Sequence, residues 1–146
     1  MIQKHSVRDQ RLVRCAAGSN YDRRMTAIAK LTVFALDCAD PRGLARFYSD
    51  ITGWAVGRDD GDWVQLRSEA GATLAFQLAP DHQPPVWPSA DQPQQAHLDF
   101  DVDDLDTGEA AVVALGARKS ETQPEPDAFR VFLDPAGHPF CLVLGG

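Results

Sequence analysis

The chain has 146 residues, 44% of them hydrophobic, and a formal net charge of −7, which suits one ordinary domain with a real core. No apolar run approaches the roughly eighteen residues of a membrane span, and no signal-peptide hydrophobic region follows the first charges. Cys15, Cys38 and Cys141 are odd in number and scattered; they fit reduced thiols in a cytoplasmic setting better than a disulfide framework.

Charge is unevenly spread. Residues 1–30 hold seven Lys/Arg against two Asp, whereas residues 31–146 hold seven Lys/Arg against nineteen Asp/Glu. An acidic domain repels phosphate backbones, so neither nucleic acid nor a membrane is expected as a partner. Residues 1–24 lack a sustained hydrophobic period and read as a flexible basic arm. Residues 25–146 read as a single domain.

Leu31 to Cys38 is the first predicted strand, with Phe34, Leu36 and Cys38 on one face. Asp40-Pro41 opens a helix, since Asp caps free amides and Pro at the first helical position loses no hydrogen bond. Leu44, Phe47, Tyr48 and Ile51 form its apolar stripe, and Gly53 ends it. Trp54 to Arg58 and Trp63 to Arg67 make a hairpin around Asp59-Asp60-Gly61. Thr73 to Leu78 alternates again, with Leu74, Phe76 and Leu78 on one face and Ala75 and Gln77 on the other. Residues 80–94, rich in proline and without a period, form a connector.

The second half opens on Gln95-Ala96-His97-Leu98-Asp99-Phe100-Asp101-Val102, which alternates strictly. Leu98, Phe100 and Val102 share one face; His97, Asp99 and Asp101 share the other. The helix expected from Asp104 to Leu115 covers the apolar side and leaves the polar side over water or a ligand. A weak strand near Arg118–Ser120, a strand from Phe129 to Leu133, the Asp134-Pro135-Ala136-Gly137 turn and a strand from Pro139 to Leu144 complete the chain. Sliding one half over the other by 64 residues lays Phe34, Leu36 and Cys38 on Leu98, Phe100 and Val102, and Asp40 on Asp104. The same shift lays Phe76 and Leu78 on Phe140 and Leu142. Matched apolar faces in two separate strands indicate a tandem duplication.

With that repeat, Asp40-Pro41 before a helix carrying Phe47-Tyr48 and ending in Gly53-Trp54, Gln95-Ala96-His97-Leu98-Asp99, and Asp134-Pro135-Ala136-Gly137-His138-Pro139-Phe140, the chain resembles the vicinal oxygen chelate superfamily. This is the glyoxalase, bleomycin-resistance and extradiol-dioxygenase group, and the resemblance is to its short bacterial glyoxalase-like domains over about residues 28–144. It implies an α+β fold of tandem βαβββ modules, about 28–79 and 95–145, forming a curved, cup-like mixed sheet with helices outside. In metal-using members, the resemblance implies ligands on the first and last strands of each half. Those positions fall here on Val33, Gln77, His97 and Cys141. Val33 cannot ligate, so no metal cofactor is expected; if one were held, His97, Gln77 and Cys141 would hold it.

Cys141 with His97 is a conceivable thiolate–imidazole pair, against the plainer reading of Cys141 as a small apolar wall residue. Asp99 reads as an orienting group, a base or a solvated rim carboxylate. Trp63 falls on the cup face beside Gln65 and Arg67, and Trp87 is a loop anchor or a lid. His138 suggests a turn-stabilising role, and His82 a solvated place in the connector, a loop that could also close over the cup. The expected function is metal-independent binding of a small apolar or aromatic molecule by His97, Gln77, Trp63, Asp99, Trp87 and Cys141. The alternative is a metal-dependent lyase, isomerase or dioxygenase, and the expected assembly is a homodimer.

Overall fold

The computed structural model describes residues 28–145; the arm expected at residues 1–24 lies outside them. The chain divides into Met1–Leu31 and Thr32–Gly146, and all the elements named below belong to the second unit. In order they are β1 (Phe34–Cys38), α1 (Pro41–Thr52), β2 (Ala55–Asp59), β3 (Trp63–Arg67), β4 (Thr73–Leu78), β5 (Leu98–Val102), α2 (Leu105–Ala114), β6 (Arg118–Lys119), β7 (Phe129–Leu133) and β8 (Pro139–Leu144). The fold is α+β and each half runs βαβββ. One four-stranded mixed sheet is ordered β1-β4-β3-β2, the other β5-β8-β7-β6. The first and last strands of each half pair in parallel, β1 with β4 and β5 with β8, and the remaining pairs are antiparallel.

Both helices start where an aspartate meets free amides. The Asp40 carboxylate accepts from Gly43 N at 3.0 Å, and Asp104 accepts from Thr107 N at 2.7 Å, as a residue before a helix should. Gly53 ends α1 at φ 70°, a left-handed conformation that glycine adopts without a Cβ penalty. α2 lies unusually close to its sheet. A Cβ on Gly108 would stand 3.1 Å from Leu142 Cδ1 and 3.2 Å from Val102 Cγ1, so only a small residue permits that approach.

One core joins the two halves. Leu44, Phe47 and Tyr48 of α1 pack with Val64, Leu66, Leu74 and Phe76 of the first sheet and with Phe132, Phe140 and Leu142 of the second. Tyr48 stacks on Phe76 at 5.5 Å, and the Phe47 ring meets Phe140 edge-on at 5.9 Å, both favoured aromatic arrangements. The expected cover of β5 needs amending. Leu98, Phe100 and Val102 are only half-buried, because β5 is an edge strand and α2 lies chiefly over β7 and β8. Phe100 turns instead toward Tyr48 of α1, at 6.0 Å.

Tyr48 carries a polar atom into this core. Its hydroxyl donates to Asp134 Oδ2 at 2.8 Å across 86 residues of sequence, and Asp134 is 1% exposed. Burial first, and then the Asp134 charge, hold the Tyr48 hydroxyl well above its ordinary pKa, so it remains a donor at any working pH. Tyr48→Phe keeps the ring and removes one donor from a buried carboxylate. It is expected to cost about 1–3 kcal/mol in denaturant unfolding, whereas an exposed change such as Arg42→Gln should leave stability nearly unchanged.

Candidate functional site

Each sheet turns one face to the helices and one away. On the second sheet the outer face carries His97, just before β5, Asp99 and, opposite Asp99 across the parallel ladder, Cys141. His97 Nε2 lies 3.4 Å from Asp99 Oδ1, and its Nδ1 lies 3.5 Å from Gln94 Nε2. The donor atoms of His97, Asp99 and Cys141 all fall within 4.8 Å of one another. So three of the six residues singled out in the sequence do meet. The Cys141 thiol is pushed up to about 12, by burial first and then by the nearby Asp99 carboxylate. That environment favours a neutral thiol, the wall residue rather than the nucleophile.

Gln77 and Trp63 stand elsewhere, on the outer face of the first sheet. Gln77 is exposed, with Asp37 on one side across the ladder and Trp63 on the other. Trp63 is half-buried, and its Nε1 is covered with no partner among the described residues. Trp87 is half-buried in the connector. The register also amends the repeat. Phe34 pairs with Leu74, but Leu98 pairs with Phe140. A shift of 64 therefore matches the first strands, Phe34 to Leu98, and a shift of 66 the last, Leu74 to Phe140. By this register Cys141 corresponds to Ala75, and Gln77 to Val143.

The metal positions implied by the superfamily can now be weighed. Val33 offers no donor, Gln77 is exposed, and burial and then the Asp99 charge push the Cys141 thiol up to about 12. That four-position set does not fit a divalent ion, which needs about three converging protein donors. The cluster His97, Asp99, Cys141 is a different set, confined to one half.

A cavity of about 440 Å³ lies under the connector. Four consecutive residues of β1, Phe34 to Asp37, border it. Alternate side chains of a strand point to opposite faces, so only the strand's edge can present all four, and β1 is an edge strand. The connector supplies Pro84, Pro85 and Pro93, and the polar groups are Asp37, three glutamines, His82 and His138. The sequence did not single out this cavity, and none of the six residues expected to bind lines it.

His138 is held from behind. Asp134 Oδ1 accepts from Ala136 N at 2.8 Å and His138 N at 3.0 Å; Oδ2 accepts from Tyr48 and from His138 Nδ1, the latter at 3.1 Å. A carboxylate only accepts, so the proton of the His138 ring lies on Nδ1. The turn-stabilising role expected of His138 holds through its backbone amide, but its ring faces the cavity. His82 is not a solvated loop residue: it is half-buried, its ring centroid lies 4.8 Å from that of His138, and its Nε2 is covered and without a partner among the described residues. Its amide donates to Ala79 O at 3.0 Å. Pro84 seats the connector on Gly137, which has φ 92°; a Cβ there would come within 2.5 Å of Pro84 Cβ.

Comparison with known proteins follows this geometry. Residues 33–143 match the family model of the glyoxalase-like domain. A glyoxalase/bleomycin resistance protein/dioxygenase family enzyme from Burkholderia phytofirmans superposes with a TM-score of 0.61 at 18% identity, over 78% of this chain and 97% of that one. A possible glyoxalase from Bacillus cereus gives a TM-score of 0.59 at 16% identity, over 78% and 97%. The oxidase ChaP-H2 gives 0.57 at 21% identity, over 82% and 96%. At these identities the likeness is one of fold. The curated proteins contain no sequence match to the chain.

The Cys141 environment makes a chemical prediction. In a Cys15→Ser background, alkylation of the folded protein by iodoacetamide at pH 8 should be slow. The thiols of Cys38 and Cys141 are both buried and pushed up, to about 11 and about 12, so the thiolate is scarce until far higher pH. Rapid modification of Cys141 at neutral pH would show an activated thiolate instead.

Proposed function

The chain belongs to the glyoxalase-like domain family, and from that premise we propose that it binds a small, planar, largely apolar molecule without a metal ion. The observation that carries this reading is the cavity of about 440 Å³ beneath the connector. Its wall of connector prolines and the edge of β1, with a few polar groups converging on it, is how small-molecule sites are commonly built. The volume suits a ligand of one to three fused rings. Of the family's four metal positions only His97 and Gln77 carry ordinary ligands, fewer than the three or so a divalent ion needs, so orientation falls to hydrogen bonds rather than coordination. Sequestration or resistance is the role that follows.

The second reading is a metal-dependent lyase, isomerase or dioxygenase. One observation favours it: the His97, Asp99, Cys141 donors within 4.8 Å of one another. The two readings part on simple measurements. Protein purified without added metal should contain no stoichiometric zinc, nickel, iron or manganese, and an ion bound in full and lost in His97→Ala would establish the second reading. For the first, Ala35→Trp sets a large ring in the cavity from an exposed position. It should weaken any ligand found by a calorimetric screen by about tenfold or more, with the melting temperature held. His97→Ala should leave that affinity unchanged; the reverse pattern would move the ligand to the face of His97.

A further inference from the structure

We propose that the cavity ligand carries a hydroxyl group and that His138 receives its proton in a hydrogen bond, with His82 closing on the same oxygen. This rests on the reading that the cavity holds a small molecule, and it names the polar end of that molecule. The argument starts from Asp134. Its four hydrogen bonds, from Tyr48, Ala136 N, His138 N and His138 Nδ1, leave it no further part to play. With Nδ1–H given to Asp134, the neutral His138 ring has one polar atom left, Nε2, and it is an acceptor. His138 borders the cavity, so what the site asks of a ligand is a donor.

His82 supplies the other half. Its ring lies against His138 at 4.8 Å and 31°, and its Nε2 is covered and without a partner among the described residues. A buried ring nitrogen in that state is satisfied by any group that lets the ring turn toward it. A hydroxyl oxygen both donates and accepts, so one such oxygen beside both rings serves both: its O–H donates to His138 Nε2 and its lone pair accepts from a His82 N–H. An ammonium or a pyrrole-type ring N–H serves only the first, and a carbonyl or ether only the second. The connector prolines on the same wall offer an apolar surface for a flat body. The ligand class is therefore a neutral aryl alcohol or enol.

Three probes separate the contributions: naphthalene for the flat body, 2-methoxynaphthalene for an oxygen that only accepts, and 2-naphthol for one that also donates. By calorimetry on the full chain, 2-naphthol should bind about tenfold more tightly than 2-methoxynaphthalene, the effect of one buried hydrogen bond. In His138→Asn, whose amide N–H still reaches toward Asp134, that preference should fall to about one while naphthalene binding is kept. His82→Phe retains the stacked ring and should lose part of the preference. Equal binding of the two oxygen probes to the unaltered protein, or a preference that survives in His138→Asn, overturns the assignment and leaves the cavity reading intact. A preference unchanged in His82→Phe overturns the part given to His82. If none of the three probes binds, or Ala35→Trp does not weaken them, the cavity reading fails and this inference with it.

Discussion

A carboxylate that is 1% exposed needs donors on all sides, because an unpaired charge in the interior costs several kcal/mol. Asp134 finds two of its donors within its own turn and a third in the His138 ring, but the fourth comes from α1 in the other half of the repeat. That requirement fixes where Tyr48 sits, and Tyr48 in turn stacks on Phe76 and lies against Phe100 and Phe140. The two sheets are hydrogen-bonded as separate ladders. What joins them is this aromatic cluster and the one polar bond at its centre, which gives a greasy interface a single register. The same carboxylate sets the tautomer of His138, so the group that ties the halves also prepares the cavity.

The halves share an order of elements but not a division of labour. His97, Asp99, Cys141 and His138 belong to the second half, where the equivalent outer-face positions of the first strands hold Val33 and Ala35, and β4 holds Ala75. The first half offers mostly wall and the second mostly chemistry. The two-residue difference in register between β1–β4 and β5–β8 contributes to this. Because side chains alternate along a strand, a slip of two keeps every apolar residue on its proper face and costs the core nothing. It does move each outer-face residue along by one position, and this sets Cys141 opposite Asp99 while Gln77 sits beside Trp63.

Much of the fold was legible, because it rests on local rules. The bounds expected for β3, β4, β7 and β8, set by runs of strand-forming residues between turn residues, match the strands, and an aspartate before each apolar stripe marked both helix starts. β1 begins later than its apolar run, at Phe34 rather than Leu31, because pairing with β4 ends where β4 does. The site was less legible. His97, Asp99 and Cys141 could be brought together by register, since all three sit on paired strands. The cavity could not, because one wall is the connector, which has no period. Its position comes from Pro84 meeting Gly137 and His82 meeting His138, contacts between segments far apart in sequence. The spacing of Asp134 and His138 within a Pro-Gly turn was the available sign; that Tyr48 would complete the carboxylate's shell had none.

Charge narrows the chemistry further. Residues 31–146 hold nineteen acidic against seven basic side chains, and the cavity has Asp37 at its wall and Asp134 behind His138. An anionic ligand would enter against this field and, among the described residues, meet no arginine or lysine on the cavity wall. A cationic ligand would be drawn in but would find, in His138 Nε2, a single neutral acceptor beside a hydrophobic edge. The arrangement is best matched by a neutral molecule whose binding energy comes from its flat apolar body and whose orientation comes from one polar atom. That is also the kind of ligand for which a proline-rich connector makes a good roof. Proline gives up little chain entropy on ordering, offers an apolar ring to pack against, and brings no amide that the ligand would have to satisfy.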